Sequence, residues 1–447
     1  MPDNRRRLRD PVHGLITFDR LDEVDETAWA LLNTAEFQRL RRIKQLGVSE
    51  YTFPGATHTR FAHCIGVFHN ARKLVKIIAR ESERNVDREK VAVLAALLHD
   101  VGHGPFSHAF EEAQKSLGVK KKHEIWTAEL IKNPDGEIYP ILGAELSEKV
   151  AKLLSSDIPE DIYHSVVSSS FDADRLDYLQ RDRMMSGSGA GAIDFDWLLD
   201  NLTVRQMDMA AVGSEVEDLV YRPTFAFKRK AFQAAEAFLL ARYHLYEQVY
   251  FHRTTRGVEQ LISSLIRGVA EHAKAKTGAD VGLSDDHPMM QFFEQSDPTA
   301  DDYFYLDDSV VWGAIGLIAE AKDPRLADLA DRILSRRLFY SLDIESDFGD
   351  GGEAKRGAIR RIEQTFSEKM KTSVLKDKIV FSAYGEIGAD DVKAHKRLMI
   401  ATGDHDIEEI SEQSKVIDSL IKPRELNRYY FEDESDRATV RSWKEGN

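Results

Sequence analysis

The stretch that decides the fold runs from Lys90 to His108, KVAVLAALLHDVGHGPFSH. Val91 to Leu98 is an unbroken apolar run and reads as a buried helix. It stops at the dipeptide His99-Asp100, and Gly102, Gly104 and Pro105 break the helix just beyond. An imidazole and a carboxylate in adjacent positions where a buried helix ends can point into one cavity and chelate a divalent cation. A lone His-Asp pair is common by chance, so its company carries the argument. His63 precedes it, His103, His108 and His123 follow, and the Asp-rich segment DADRLDYLQRD (Asp172 to Asp182) lies beyond. Eight of the 15 histidines fall in the first 123 residues, far more than an even spread would place there.

Working outward, Phe61, Ile65, Phe68, Leu74, Val75 and Ile78 recur at helical spacing and predict a helix capped by Thr57 or Thr59. DADRLDYLQRD predicts a helix opening at Asp172 and running to about Met184, and another helix covers Phe232 to about Phe251. The basic start RRRLRDPVHG reads as a solvated arm that becomes extended at Pro11. Gly278 to Asp308, rich in Asp, Pro and Gly, reads as a surface loop region or boundary. Val311 to Arg337 reads as helical. The segments KIVFSAY, KRLMIAT and ELNRYYFE are short and β-prone, so the expected fold is mostly α, a helical core with a smaller α+β C-terminal lobe.

Composition narrows the function. The 447 residues carry 61 Lys and Arg against 76 Asp and Glu, a net charge of −15, which argues against a protein whose main task is to wrap nucleic acid. No apolar run approaches the ~20 residues of a membrane span, and the polar start lacks a signal-peptide core, so a cytoplasmic location away from membranes is expected. The single cysteine, Cys64, cannot build a thiolate cage, so a metal here must use His, Asp and Glu. There is no phosphate-loop signature, HExxH, GxSxG or CxxC, and the glycines at 187, 189 and 191 read as a loop after a helix.

Five ordered blocks, DPVHG (Asp10 to Gly14), FQRLRRIKQLG (Phe37 to Gly47), FPGATHTRFAH (Phe53 to His63), LLHDVGHGPFSH (Leu97 to His108) and DADRLDYLQRD, carry a resemblance. The chain resembles the HD-superfamily phosphohydrolases, and more closely the deoxynucleoside triphosphate triphosphohydrolases related to the human enzyme that joins a sterile-alpha-motif domain to an HD domain. The match covers about the first 185 residues, continues more weakly to about residue 255, and includes no sterile-alpha-motif domain. It implies a divalent metal (Mn, Fe, Zn or Mg) held by His63, His99, Asp100 and Asp174, a set of intermediate to hard ligands. Such a cation polarises the α-phosphate and makes water acidic enough to attack it. The resemblance makes His108 the general acid for the departing 5′ oxygen, with Glu111 one helical turn on to orient that ring, and His103 and His123 phosphate contacts.

By the same resemblance Arg60, Arg175 and Arg242 grip the triphosphate of a dNTP, with Tyr178 bonding a phosphate oxygen. Arg242, Tyr246 and Tyr250 fall at i, i+4 and i+8, so one helical face presents all three. Gln45 and Asp182 match positions that read the sugar 3′-hydroxyl, and Leu46 and Tyr250 match those that crowd its 2′ position. The implied organisation is a catalytic core with nucleotide-binding helices over 1–275 and a lobe for oligomerisation and regulation over 276–447. The implied assembly is a homo-oligomer, a tetramer, with a nucleotide activator between subunits.

The activator positions depart from the family pattern. Asn33 stands where relatives carry the acid that reads guanine, and Trp197 and Tyr340 replace two basic positions, although Gln38, Arg41, Arg336, Lys228 and Lys230 remain. Asparagine lacks the charge that makes a carboxylate a strong acceptor. Adding GTP to a dATP or dCTP assay should therefore give no steep rise in rate; a steep rise would contradict this reading. Two other functions compete with a dNTP triphosphohydrolase. One is a phosphodiesterase of the same superfamily acting on signalling nucleotides or nucleic-acid ends, which would not need the three arginines. The other is a silent nucleotide-binding scaffold, which would have no chemical reason to keep every ligand and acid.

Overall fold

The computed structural model describes residues 4–119, 121–156, 159–208, 221–349, 352–386, 396–403 and 406–443, and of His108, Asp208 and Glu386 the backbone alone. A hairpin opens it: β1 (Arg5–Asp10) pairs antiparallel with β2 (Gly14–Asp19). The basic arm expected to be a solvated tail is therefore a strand. Leu8 packs against the core, and Asp10 turns inward to accept the backbone N–H groups of Val12 and His13, each at 2.9 Å. Those inward contacts outweigh the solvation of the alternate arginines.

The helical core follows: α1 (Glu23–Leu32), α2 (Ala35–Arg39), α3 (Arg60–Glu81), α4 (Val86–Leu98), α5 (His108–Ser116), α6 (His123–Lys132), α7 (Ile138–Ser155) and α8 (Ala173–Ser186). Of the two candidate caps for α3 the structure uses Thr59, whose hydroxyl accepts the Ala62 N–H. Asp172 caps α8 in the same way at Arg175 N–H, 2.9 Å, and Gly187 closes it in the left-handed conformation. α4 is the axis of this core. Every side chain from Val91 to Leu98 is buried, with α1, α3 and α7 packed around it, and each such Val or Leu contributes about 1.5–3 kcal/mol.

Next come α9 (Phe195–Asp200), β3 (Leu202–Asp208), β4 (Tyr221–Lys228) and α10 (Phe232–Leu245). A single π turn, Tyr246–Tyr250, completes the helix expected over Phe232 to Phe251, and such one-turn π segments re-aim side chains at functional sites. A second core forms on α11 (Arg253–Ala275), α12 (Pro288–Glu294), α13 (Ala300–Phe304), α14 (Asp308–Ile318) and α15 (Pro324–Ser335), drawing on both sides of the 275/276 division. Gly278 to Asp308 is thus not a surface loop: Leu283, Met289, Phe292, Phe293, Tyr303 and Leu306 are all buried. Its polar residues are helix caps. His287 with Pro288, the Thr299–Asp302 capping box and Asp307 start three short helices.

The remaining strands are β5 (Tyr340–Asp343), β6 (Val374–Ser382), β7 (Gly385–Glu386), β8 (Met399–Ala401), β9 (Ile407–Glu409) and β10 (Arg424–Phe431). One sheet has the order β5-β10-β6-β7, and the other β3-β4-β8-β9. β8 runs parallel to β4, Met399 beside Ala226, so the α+β lobe sends two strands back to the helical core. The β6–β7 turn also reaches Arg242 on α10 and Tyr246 on the π turn.

Candidate active site

Three elements bring the expected metal ligands together. α3 supplies His63, the end of α4 supplies His99 and Asp100, and the first turn of α8 supplies Asp174. His63 Nε2 lies 3.0 Å from Asp174 Oδ1 and 3.9 Å from Asp100 Oδ2; His99 Nε2 lies 3.3 Å from Asp100 Oδ1 and 3.9 Å from Asp174 Oδ1. The Nε2 atoms of both rings are buried without a hydrogen-bond partner. Each ring is oriented through its other nitrogen: His63 Nδ1 donates to Asp177 Oδ2 at 2.7 Å, and His99 Nδ1 donates to the Ala96 carbonyl at 2.9 Å. The ligand atoms of His63, His99 and Asp100 converge, with Asp174 Oδ1 beside both rings, and this donor set fits a divalent cation; the Asp177 carboxylate behind His63 is the support a metal-bound histidine needs.

Asp177 is itself held from three sides. It accepts His13 Nε2 at 2.6 Å and the Arg181 guanidinium at 2.8 and 2.9 Å, and Arg181 bonds Asp10 at 2.9 Å. Burial opposes its charge, but His13, His63 and Arg181 together hold the Asp177 carboxyl well below the usual range. α3 can approach this network only because residue 66 is glycine; a Cβ there would lie 1.8 Å from Asp177 Oδ1. Asp177→Asn should lower metal affinity about 10–100-fold while leaving the first ligands in place. Competition with a chelator checks this, and unchanged affinity would show that the carboxylate does not orient His63.

Burial opposes ionisation of Asp100 as well, yet Arg60, His99 and His103 hold it well below the usual range. Burial likewise opposes protonation of His63, but the flanking carboxylates of Asp174 and Asp177 push it up to about 10. His103 and His123 stack at 3.9 Å and are shifted in opposite directions: burial and Arg60 push His103 down to about 3, while the bond to Glu111 outweighs burial and raises His123. Glu111 accepts His123 Nδ1 at 2.7 Å. His103, Glu111 and His123 form a second cluster of ligand type. The expected acid His108 begins α5; its side chain lies outside the described residues.

The turn before His108 is under backbone strain, with Phe106 and Ser107 at φ 52° and 45°. Arg60 holds it by donating to Ser107 Oγ at 2.7 Å and by pairing with Asp100. From behind, buried Asp308 accepts the Phe106 N–H and the Lys44 N–H, each at 2.9 Å, joining this turn to the loop that carries Gln45 and Leu46. Arg39, fully buried, donates to the carbonyls of Leu306, Val101 and His103.

The expected nucleotide residues continue from the metal ligands without a break. Arg175, beside Asp174, pairs with Asp172. Tyr178 packs edge-on to Tyr250 with centroids at 6.3 Å, and Tyr250 does the same to Tyr246 at 4.9 Å. Arg242 lies over Tyr246 and donates to the Tyr384 carbonyl of the β6–β7 turn. Glycine is required at 385 in that turn: its φ is +110°, and a Cβ would lie 2.7 Å from the Arg242 guanidinium. Tyr250 donates to Asp182 Oδ2 at 2.6 Å. The Gln45 amide oxygen is buried without a partner, and Leu46 packs against the main core. Sequence reasoning missed Asp177, Arg181, Asp308 and Arg39. Asp177 alone left a signal, one helical turn beyond Asp174.

The fold and this site define a class, a helical metallohydrolase built on a His-Asp pair. The family model described as HD domain matches residues 60–182, and that described as HD associated region matches 216–308. The uncharacterized protein YwfO of Bacillus subtilis is 33% identical over 342 residues, covering 75% of this chain and 71% of YwfO. The deoxynucleoside triphosphate triphosphohydrolase SAMHD1 homolog of Dictyostelium discoideum is 30% identical over 357 residues, and the match spans 75% of this chain but only 60% of that protein. The crystal structure of a phosphohydrolase from Bacteroides thetaiotaomicron has the same fold, with a TM-score of 0.71 at 24% identity over 96% of this chain and 99% of that one. The chain belongs to the HD superfamily of metal-dependent phosphohydrolases and resembles its dNTPases. No helix among the described residues is long and apolar enough to cross a membrane.

Proposed function

We propose that this enzyme hydrolyses deoxynucleoside triphosphates at the α-phosphate, releasing the deoxynucleoside and intact triphosphate. The observation that carries the reading is continuity. One helix, α8, bears the metal ligand Asp174, the cation Arg175, the ring of Tyr178 and the carboxylate of Asp182, and Arg242, Tyr246 and Tyr250 face it from the next helix and its π turn. A metal centre, converging arginines and a buried hydroxyl acceptor are the three things a deoxynucleotide would need.

When bound, the divalent cation supplies Lewis acidity at the α-phosphate. His63, His99, Asp100 and Asp174 hold it. Arg60, Arg175 and Arg242 bind and orient the triphosphate, exchanging their present oxygen partners for phosphate oxygens. His123, kept towards its charged form by Glu111, offsets charge developing on the phosphate, and neutral His103 donates or accepts a hydrogen bond beside it. His108 gives its proton to the departing 5′ oxygen. The test is to incubate the metal-loaded protein with each dNTP, singly and mixed, and to separate the products by anion exchange. Deoxynucleoside with intact triphosphate, lost in His108→Ala, is expected. Absence of turnover in every mixture, or release of pyrophosphate or orthophosphate instead, would contradict the proposal.

A further inference from the structure

His58, in the segment that enters α3, is 7% exposed, and its Nε2 donates to Asp182 Oδ1 at 2.7 Å. The other oxygen of Asp182 accepts the Tyr250 hydroxyl at 2.6 Å, and Asp182 is 1% exposed. One carboxylate is thus held at both oxygens, by a residue before α3 and by the π turn after α10. His58 is also tied to the opposite wall, since its carbonyl accepts the Gln45 N–H at 2.9 Å. Two polar atoms here are buried with no hydrogen-bond partner, His58 Nδ1 and Gln45 Oε1.

We propose that His58 is a positioning residue for sugar recognition, fixing Asp182 to read the 3′-hydroxyl and, through Asp182, fixing the Tyr250 ring that excludes a 2′-hydroxyl. The inference rests on the dNTP reading above. Each carboxylate oxygen has two lone pairs, so Asp182 keeps room for a third donor while His58 and Tyr250 stay bound. A sugar hydroxyl donates there. With the carboxylate pinned by His58, the Tyr250 phenol has one place to bond, and its ring has one position. Without His58 the carboxylate turns about its side-chain bonds, and the phenol follows it. Both the reading of one hydroxyl and the exclusion of the other then fail together.

The experiment is steady-state kinetics of the full, metal-loaded chain on a dNTP, its 2′,3′-dideoxy analogue and the matching ribonucleotide. The variants are His58→Leu, which removes the donor, and His58→Gln, whose amide nitrogen replaces Nε2. In His58→Leu the KM for the dNTP should rise about tenfold, the scale of one hydrogen bond to a charged group. The KM for the dideoxy analogue should stay within about twofold, because that substrate makes no 3′ contact to lose. The preference for dNTP over ribonucleotide should fall by about tenfold, and His58→Gln should restore most of both properties. His58→Asn, too short to reach Asp182, gives the same reading if the leucine variant does not fold. Equal losses on the dNTP and its dideoxy analogue, with discrimination against the ribonucleotide unchanged, would overturn the proposal and leave His58 a cross-link between α3 and α8. In that case the dNTP reading stands. No dNTP turnover by the unsubstituted protein would overturn both.

Discussion

Asp100→Ala should remove bound metal and hydrolytic turnover together, with turnover falling about a thousandfold or more. Asp100 is the hub of the centre. One oxygen lies 3.3 Å from His99 Nε2 and 3.2 Å from His103 Nε2; the other lies 3.9 Å from His63 Nε2 and pairs with Arg60. Alanine removes a ligand and also releases Arg60, which donates to Ser107 in the strained turn before α5. Metal content by elemental analysis and turnover on the same preparation check this. A variant that keeps its metal and still loses turnover would move Asp100 from ligand to substrate contact.

The second large effect concerns stability. Arg181→Met should destabilise the fold by about 3–5 kcal/mol, because it leaves buried carboxylates without their cation. Arg181 is 1% exposed and bridges Asp177 on its own helix to Asp10 at the end of β1. It therefore fastens the N-terminal hairpin to the floor of the metal site. Denaturant unfolding measures the loss. The surface pair Lys422–Asp418, with side chains 70% and 55% exposed, is the control, and breaking it should leave the midpoint unchanged. A small effect at Arg181 would mean that Asp177 and Asp10 find other donors.

What was legible in the sequence follows from distance along the chain. α4 could be read because an eight-residue apolar run ending at His99-Asp100 is a local pattern, and α3 and α8 because Thr59 and Asp172 act within one turn of their caps. The region of the metal centre was legible as a crowd of histidines and aspartates, and the family resemblance picked the expected ligands out of it. The support behind them was not. His13 meets Asp177 across 164 positions and Arg181 meets Asp10 across 171, and no spacing rule connects residues so far apart. The Asp308 clamp was hidden for a second reason. It lies at the end of a segment whose Asp, Pro and Thr residues look like loop but cap short helices, and the apolar run PMMQFF within it was the signal of burial. The hairpin was concealed by its arginines: Arg5, Arg7 and Arg9 face out, while Arg6, Leu8 and Asp10 share the inner face.

The measurement that tests the central claim most directly is hydrolysis of the preferred dNTP in water enriched in oxygen-18, with mass analysis of both products. Attack at the α-phosphorus, with the bond to the 5′ oxygen breaking, places one labelled oxygen in the triphosphate and none in the deoxynucleoside. Label in the deoxynucleoside, or in a released pyrophosphate or orthophosphate, would contradict the account.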